Sequence, residues 1–253
     1  MRRDVLELRR FYATSLGKAV REMAGRKLAE AWDNPKGLDY LGLGYATPFL
    51  EGLGSARRVV AAMPGPQGVE AWPLECRNLA CLADEGALPF ANALFDRILV
   101  AHGLEESDDP ANLLREVWRV LAPSGRVIIV AASRLGLWSD AEKTPFGHGR
   151  PYTRRQLEEL VREAELEPTA WSRALYVPPV DWAAGWAETF EQIGSRLWPQ
   201  FSGLILLEAV KQTFAVKPKA PPLRAKAAVL RPVPVGPILE PSARFENRSD
   251  RPR

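Results

Sequence analysis

Gly42-Leu43-Gly44-Tyr45-Ala46 is the stretch that decides the fold of this 253-residue chain. The apolar run before it, residues 38–41, predicts a strand that ends in a glycine turn. A strand that turns through glycines into a helix is how open α/β sheets hold nucleotide-like ligands. The stretch therefore predicts a ligand-binding turn at the carboxyl end of a first strand.

Strands and helices alternate after this turn. Thr47 is a candidate helix cap, and Pro48 suits the first turn of a helix. Such alternation predicts a parallel sheet with helices on both faces. The predicted helices are Thr47–Leu53, Leu74–Ala83 and Pro110–Leu121, and the predicted strands are Arg58–Ala62, Phe95–Val100 and Arg126–Ala132.

The later part of the chain predicts an antiparallel hairpin at one edge of the sheet. Thr153-Arg154-Arg155-Gln156 has the pattern of a capping box, which opens a helix that runs to about Glu165. The elements expected after it are a strand over Thr169–Val177, a helix over Asp181–Leu197 and a strand over Leu204–Val216.

Three regions differ in composition. Residues 1–35 are expected to form a helical segment that packs on the domain, because apolar residues recur at helical spacing over 4–30. Residues 36–216 form the main domain. Residues 217–253 hold nine Lys/Arg, three Asp/Glu and eight prolines, so this basic tail is predicted to be disordered.

Composition indicates a cytoplasmic protein. The two cysteines, Cys76 and Cys81, have the spacing of neither a zinc site nor a disulfide framework, and no metal ligand set is predicted. The N-terminus has no long apolar core of the kind found in signal peptides. The longest apolar runs, residues 127–132 and 204–207, are too short to span a bilayer and are expected to be buried strands.

Two further motifs make the pattern more specific. The segment Asp84-Glu85-Gly86-Ala87-Leu88-Pro89-Phe90 is followed by Phe95-Asp96 at the start of a strand. Arg119-Val120-Leu121-Ala122-Pro123-Ser124-Gly125 then leads into the strand over residues 126–132. In this order, residues 36–216 resemble the class I S-adenosylmethionine-dependent methyltransferases of the type 11 group.

The resemblance implies a Rossmann-like α/β fold: a seven-stranded, mostly parallel sheet with helices on both faces and an antiparallel edge hairpin. It also implies a methyltransferase that uses S-adenosylmethionine. The glycines would let the backbone approach the methionine part of the ligand, and Asp84 would accept a hydrogen bond from the adenine amino group. The cofactor-binding residues that it implies are Gly42, Leu43, Gly44, Tyr45, Ala46, Asp84, Glu85, Leu88 and His102.

Several of these residues also have a purely structural interpretation. Asp84 could instead cap a helix or turn, and His102 could be packed in the interior rather than act as a base or line the ligand pocket. Tyr12 resembles aromatic residues that some family members place over the methyl donor, but its position on an apolar helix face equally predicts core packing. No catalytic residue is predicted.

Two carboxylates that such sites use are missing. The place two residues before Gly42 holds Tyr40, and Asp39 is one position further back, where its side chain would face the other side of the strand. The second predicted strand ends without an acid, although Gln67 or Glu70 could reach in from the next loop. A catalytically weak or inactive binding or regulatory protein is therefore the alternative to an enzyme.

The methyl acceptor, a small molecule or a protein, is not specified by any motif. The glycine-containing loop 133–152, with His148, Arg150 and Tyr152, is expected on the acceptor side. Nucleic acid could contact the basic tail, but its single aromatic residue gives little support for base stacking. The late tryptophans are expected to form an apolar cap on the sheet edge rather than a substrate cage, or a protein interface if exposed: Trp171, Trp182, Trp186 and Trp198.

Overall fold

The N-terminal segment forms two helices. The computed structural model describes residues 2–32 and 34–211, and its first elements are α1 (Val5–Ala13) and α2 (Ser15–Ala31). The prediction of one helix over 4–30 was wrong because Thr14 is extended, and its side chain accepts the N–H of Gly17 to cap α2. The chain folds tightly here, since a Cβ at Gly17 would lie 2.1 Å from the carbonyl oxygen of Phe11.

Seven strands form one mixed sheet, as the family resemblance implies. Its order is β3-β2-β1-β4-β5-β7-β6. The first five strands are parallel, and β7 lies antiparallel between β5 and β6. The strands are β1 (Asp39–Gly44), β2 (Arg58–Pro64), β3 (Ala80–Ala83), β4 (Phe95–Ala101), β5 (Leu121–Ala132), β6 (Leu166–Ala174) and β7 (Leu204–Lys211).

The connections between the first strands contain less helix than the sequence suggests. The helix predicted over Thr47–Leu53 is only a 3-10 turn, Thr47–Phe49. The helix predicted over Leu74–Ala83 was wrong, because Ala80–Ala83 pairs with β2 as strand β3. Asn78 explains the difference: its side-chain oxygen accepts the backbone N–H groups of Trp72 and Ala80, a local turn that competes with a helix.

Helices cover both faces of the sheet. The described part of one face is covered by α1, α2 and the segment that ends in α5 (Ala187–Leu197), and the other by α3 (Pro110–Val120) and α4 (Arg154–Glu163). Asp109 caps α3 by accepting the N–H of Asn112, and the capping box predicted at Thr153 opens α4. Leu99 and Val100, neighbours in β4, belong to different apolar clusters, as strand alternation requires.

Two expectations reach beyond the described residues. The predicted final strand continues to residue 216 and the predicted disordered tail covers residues 217–253, whereas the structure is described only to residue 211.

Within the described ranges, no helix combines the length and the apolar character that crossing a membrane requires.

Two glycines with the same backbone conformation allow a direct test of the turn after β1. Gly44 has φ +84°, and a Cβ there would lie 2.3 Å from the carbonyl oxygen of Ala101, whereas Gly52 has φ +88° and open space around it. We expect Gly52→Ala to cost about 1 kcal/mol of unfolding free energy, from the backbone conformation alone. Gly44→Ala should cost about 3 kcal/mol or more, because the close approach adds to that strain. Urea unfolding of both variants checks this, and equal losses would show that the close approach contributes nothing.

Candidate functional site

The glycine turn lies at the topological switch point of the sheet. β1 and β4 are neighbours, and the chain leaves β1 toward β2 on one side and β4 toward β5 on the other. The Tyr45 N–H donates to the carbonyl oxygen of Ala101 at 2.8 Å, which joins the carboxyl ends of these two strands. In open α/β sheets, ligands bind in the crevice at this point.

The two glycines make the turn compact. A Cβ at Gly42 would lie 2.7 Å from the side chain of Leu50 and 2.8 Å from that of Ala46, and Gly44 is restricted by Ala101 as described above. Leu43 points into the cluster on the α3 face, and Tyr45 and Ala46 are buried in the opposite cluster. The structure thus brings the five turn residues together but uses both glycines for packing within the protein.

An aromatic cluster covers the turn. Tyr12 of α1 stacks on Tyr45 with ring centroids 5.8 Å apart, and its hydroxyl is 2.7 Å from Nε2 of His102. The ring of Phe146, in the loop after β5, lies 4.6 Å from that of His102. Tyr12 is therefore packed in the core, as one of its two interpretations expected, and its contact with Tyr45 also joins it to the glycine turn. We refer to Phe11, Tyr12, Tyr45, Phe49, His102, Trp138 and Phe146 as the aromatic cluster.

His102 is a neutral hydrogen-bonding group in this cluster. Burial lowers the pKa of His102 to about 3, so the imidazole carries no charge at neutral pH. Its φ of +50° is unusual for a residue with a side chain, and such conformations concentrate at functional sites. Burial also raises the pKa of Tyr12 well above its ordinary value, so the pair shares one hydrogen bond between uncharged groups.

A cavity of about 630 Å³ opens at the carboxyl ends of β2 and β3, and its lining includes no residue of the turn 42–46. Asp84 lines it, and its Oδ1 accepts the N–H of Gly86 at 2.8 Å, so this carboxylate caps a turn as well as facing the cavity. Glu85 pairs with Arg2 at 2.7 Å and accepts a hydrogen bond from the Ser107 hydroxyl. The remaining lining residues are Arg2, Pro64, Gly65, Pro66, Leu82, Ala83, Gly86, Asp108, Asp109 and Asn112.

The motif segments around Leu88 and Arg119 hold each other in place. Leu88 is buried in the core, and its N–H donates to the carboxylate of Glu116 at 2.7 Å. The guanidinium of Arg119 donates to the carbonyl oxygens of Leu88 and Phe90, each at 2.8 Å. Leu88 thus supports the wall behind the cavity and does not line it.

Seven of the described side chains have a buried polar atom without a hydrogen-bond partner, and two of these side chains, Gln67 and Glu105, lie in the loops after β2 and β4. Both amide atoms of Gln67, which follows β2, lack a hydrogen bond although the residue is only 1% exposed. Glu105, which follows β4, accepts the N–H of Ala132 with Oε1, but Oε2 has no partner. Burial raises the pKa of Glu105 to about 7. Because β2 and β4 flank β1, these atoms lie in the loops on either side of the glycine turn.

The acid nearest to the turn in the sequence lies away from it in the structure. Asp39 begins β1, at the opposite end of the strand from the turn, and accepts a hydrogen bond from Arg57 at 2.9 Å. This guanidinium holds the pKa of Asp39 below its ordinary value. β2 ends at Pro64 with no acid. The sequence suggested that Gln67 could reach the site from the loop after β2. No sequence signal indicates that Glu105 is buried.

The loop after β5 is tied to the site at several points. His148 contacts Arg3 and lies 2.7 Å from the carbonyl oxygen of Glu142. The Arg150 N–H donates to the carbonyl oxygen of Glu105, and the Tyr152 N–H donates to that of Ala132.

The prediction that the late tryptophans form an apolar cap was wrong. All four side chains are exposed, two of them by more than 60%.

Comparison with known proteins agrees with this arrangement. Residues 39–129 match the family model described as a methyltransferase domain. A ubiquinone/menaquinone biosynthesis C-methyltransferase from Geotalea daltonii is 28% identical over 121 residues, which cover 48% of this chain and 43% of that protein. The chain spans less than half the length of the curated relatives it matches first.

Solved structures share the fold. One is a chain from the Haloferax volcanii complex between the Trm112 methyltransferase activator and a methyltransferase; it has a TM-score of 0.59 at 18% identity, over 82% of this chain and 96% of that one. Another is an S-adenosylmethionine-dependent methyltransferase from Thermotoga maritima, with a TM-score of 0.55 at 18% identity and the same coverage. Residues 39–129 therefore match the model of the methyltransferase domain family, and the described chain shares the fold of these solved S-adenosylmethionine-dependent methyltransferase structures.

Proposed function

We propose that this chain transfers a methyl group from S-adenosylmethionine to an acceptor. The observation that carries the proposal is the pair of unpartnered buried polar groups, on Gln67 and Glu105, in the loops that flank the glycine turn. Buried polar groups in folded proteins are nearly always hydrogen-bonded, so an atom left without a partner indicates a ligand or water. A nucleoside-containing ligand supplies hydroxyl and amino groups that fit this requirement.

The residues present fit this cofactor. The cavity lined by Asp84 and Glu85 would hold the nucleoside end. Gln67 follows the lining residue Pro66, and its unpartnered amide would have to turn toward the cavity to bind the ribose hydroxyls in place of the missing acid. The turn from Gly42 to Ala46, with His102 nearby, would hold the methionine end, and Leu88 would support the nucleoside end from behind the cavity. When bound, S-adenosylmethionine supplies a methyl group that its sulfonium already activates.

The protein's contribution is then mainly positioning and exclusion of water. Holding donor and acceptor in line can supply much of the rate of such a transfer. The aromatic cluster surrounds the turn with apolar rings, and its one histidine is uncharged, so it excludes water without adding a competing charge. Glu105 can hold a proton near neutral pH, which suits an acceptor that loses one on methylation. The acceptor is a small molecule or a protein, and the loop 133–152 would border it.

A binding or regulatory protein without turnover is the second candidate. It is favoured by the packing of Tyr12 onto Tyr45 of the glycine turn, and by the absence of carboxylates at position 40 and at the end of β2. In this case the chain would bind S-adenosylmethionine or S-adenosylhomocysteine but transfer nothing. A cytoplasmic location is a further expectation, whereas contact between the basic tail and nucleic acid has little support in the sequence.

The central experiment combines binding with transfer. Thermal unfolding is measured with increasing S-adenosylmethionine and S-adenosylhomocysteine, and a concentration one hundred times Kd should add about 2.7 kcal/mol of stability. Purified protein with methyl-tritiated S-adenosylmethionine is then incubated with the small-molecule and protein fractions of a cell extract. Transfer of label supports the enzyme, and stabilisation without transfer supports the second candidate. The absence of any stabilisation at millimolar ligand would contradict both.

Gln67→Met should separate ligand binding from stability. The substitution removes two unpartnered buried polar atoms, so the ligand-free protein should gain about 1 kcal/mol of unfolding free energy. Binding of S-adenosylhomocysteine, measured by calorimetry, should weaken about three- to tenfold, because hydrogen bonds to the ligand are lost. Gln200→Met, at an exposed position, is the matched control and should leave the affinity unchanged. Unaltered affinity in the Gln67 variant would remove this residue from the binding site.

The pH dependence of stability should report on Glu105. Its folded-state pKa of about 7 lies above the ordinary value of 4.5, so the folded state binds a proton more tightly than the unfolded state does. Stability due to this group is therefore fully present below about pH 4.5 and is lost as the pH rises through about 7, by on the order of 3 kcal/mol. Urea unfolding between pH 4.5 and 8 should show a weaker decline for Glu105→Gln than for the wild type. The exposed Glu75→Gln control should follow the wild type, and identical profiles for all three proteins would show that Glu105 is not buried in its charged form.

A further inference from the structure

A second cavity lies between α2 and the connection from β1 to β2. Its volume is about 630 Å³, within the range of about 300–1,000 Å³ that small-molecule sites occupy. It shares no lining residue with the cavity that Asp84 and Glu85 line. Along α2 the lining extends from Lys18 to Trp32, which at a helical rise of about 1.5 Å per residue is about 20 Å. The second cavity is therefore elongated and separate from the candidate cofactor site.

Two features of the chain leave this space open. The connection from β1 to β2 contains a single short helical turn, Thr47–Phe49, which fills little of the space between α2 and the sheet. In addition, α2 presents Gly25 to the cavity, where an added Cβ would have no described atom within 4 Å. Neither crowding nor a positive φ requires glycine at this position, although glycine is a poorer helix former than alanine. Gly25 therefore keeps volume in the cavity at the expense of helix stability.

The surface of the second cavity is mainly apolar. Leu28 and Leu99 line it and are buried. The ring of Trp32 lies edge-on to that of Tyr40, with ring centroids 5.9 Å apart, and the indole N–H donates to Glu208 at 3.3 Å. Because this N–H is already used within the protein, the ring offers the cavity only carbon surface. A ligand here needs an apolar body, since burial of apolar surface is the main gain that the cavity provides.

The charges of the lining leave one cation unpaired. Glu51 pairs with Arg21 at 3.0 Å, and Glu22 pairs with Arg26 at 3.4 Å. Lys18, the remaining charged residue of the lining, has no carboxylate partner in the described part of the chain. Its side chain is exposed, so it lies at the rim of the second cavity. An anionic group on a ligand complements this rim without displacing an existing ion pair.

We propose that the second cavity binds an aliphatic carboxylate of the fatty-acid class. The alkyl chain lies along the apolar floor between α2 and the sheet, and the carboxylate pairs with Lys18 at the rim. A neutral apolar ligand leaves this ammonium group unused, and a cationic ligand is repelled by it. A carboxylate that stays at the surface also avoids the desolvation that a buried ion pair requires. This binding is independent of methyl transfer.

Calorimetry with the full chain tests the site, with dodecanoate below its critical micelle concentration as the probe. The wild type should bind one dodecanoate per chain. Gly25→Leu should bind it at least about tenfold more weakly, because the new side chain displaces about two methylene groups of the ligand. Ala31→Leu adds an apolar side chain at an exposed position of α2 outside the lining, and this control should bind like the wild type. Gly25→Leu should melt no lower than the wild type, because leucine is a better helix former than glycine.

A second comparison tests the head group with decanoate and 1-decanol, which have the same chain length but differ in charge. Lys18→Gln should bind decanoate about threefold more weakly and 1-decanol as the wild type does, because an exposed ion pair is lost. Equal losses for both ligands would overturn the assignment of a carboxylate. Equal affinity of the wild type and Gly25→Leu for dodecanoate would overturn the proposal, and so would the absence of binding to the wild type. Concentration-dependent dimerisation that Gly25→Leu abolishes would instead assign the second cavity to a second copy of the chain.

Discussion

The contact between Gly44 and the carboxyl end of β4 is the constraint on which the rest of the site depends. The backbone of β1 can approach Ala101 and Gly103 this closely only because position 44 has no Cβ and adopts a positive φ. The hydrogen bond from Tyr45 to Ala101 then fixes where the turn leaves the sheet. Every group discussed around the site, from Tyr12 to Glu105, is positioned relative to these two strand ends.

Much of the fold could be predicted because its signals are local and repeated. The buried strands, the proline and acid that open α3, and the capping box of α4 each occur within a few residues of the structure that they specify. The order of the motifs was enough to predict the sheet. The antiparallel β7 followed from its apolar run and from the strand pattern before it.

The errors arose where a long-range contact decided between two local preferences. Residues 80–83 have helix-compatible composition, but pairing with β2 and the Asn78 turn make them a strand. Of the implied site residues, Asp84 and Glu85 line the cavity, whereas Leu43 and Leu88 are core and His102 is packed against Tyr12. Glu105 is buried against a residue 27 positions away in the sequence, Ala132, whose N–H it accepts. The residues next to Glu105 in the sequence therefore do not predict its burial.

The brief connection between β1 and β2 has a consequence for how the molecule folds. A single 3-10 turn covers little of the sheet. The face of the sheet on this side of β1 is therefore covered from solvent largely by α1 and α2, which precede the sheet in the chain. Tyr12 and His102 meet across 90 positions of sequence. Closing such a distance costs chain entropy before any contact compensates for it. A sheet that assembled first would therefore leave its glycine turn open to solvent until the two helices docked, and a ligand that prefers the sheltered turn would draw the population toward the docked form.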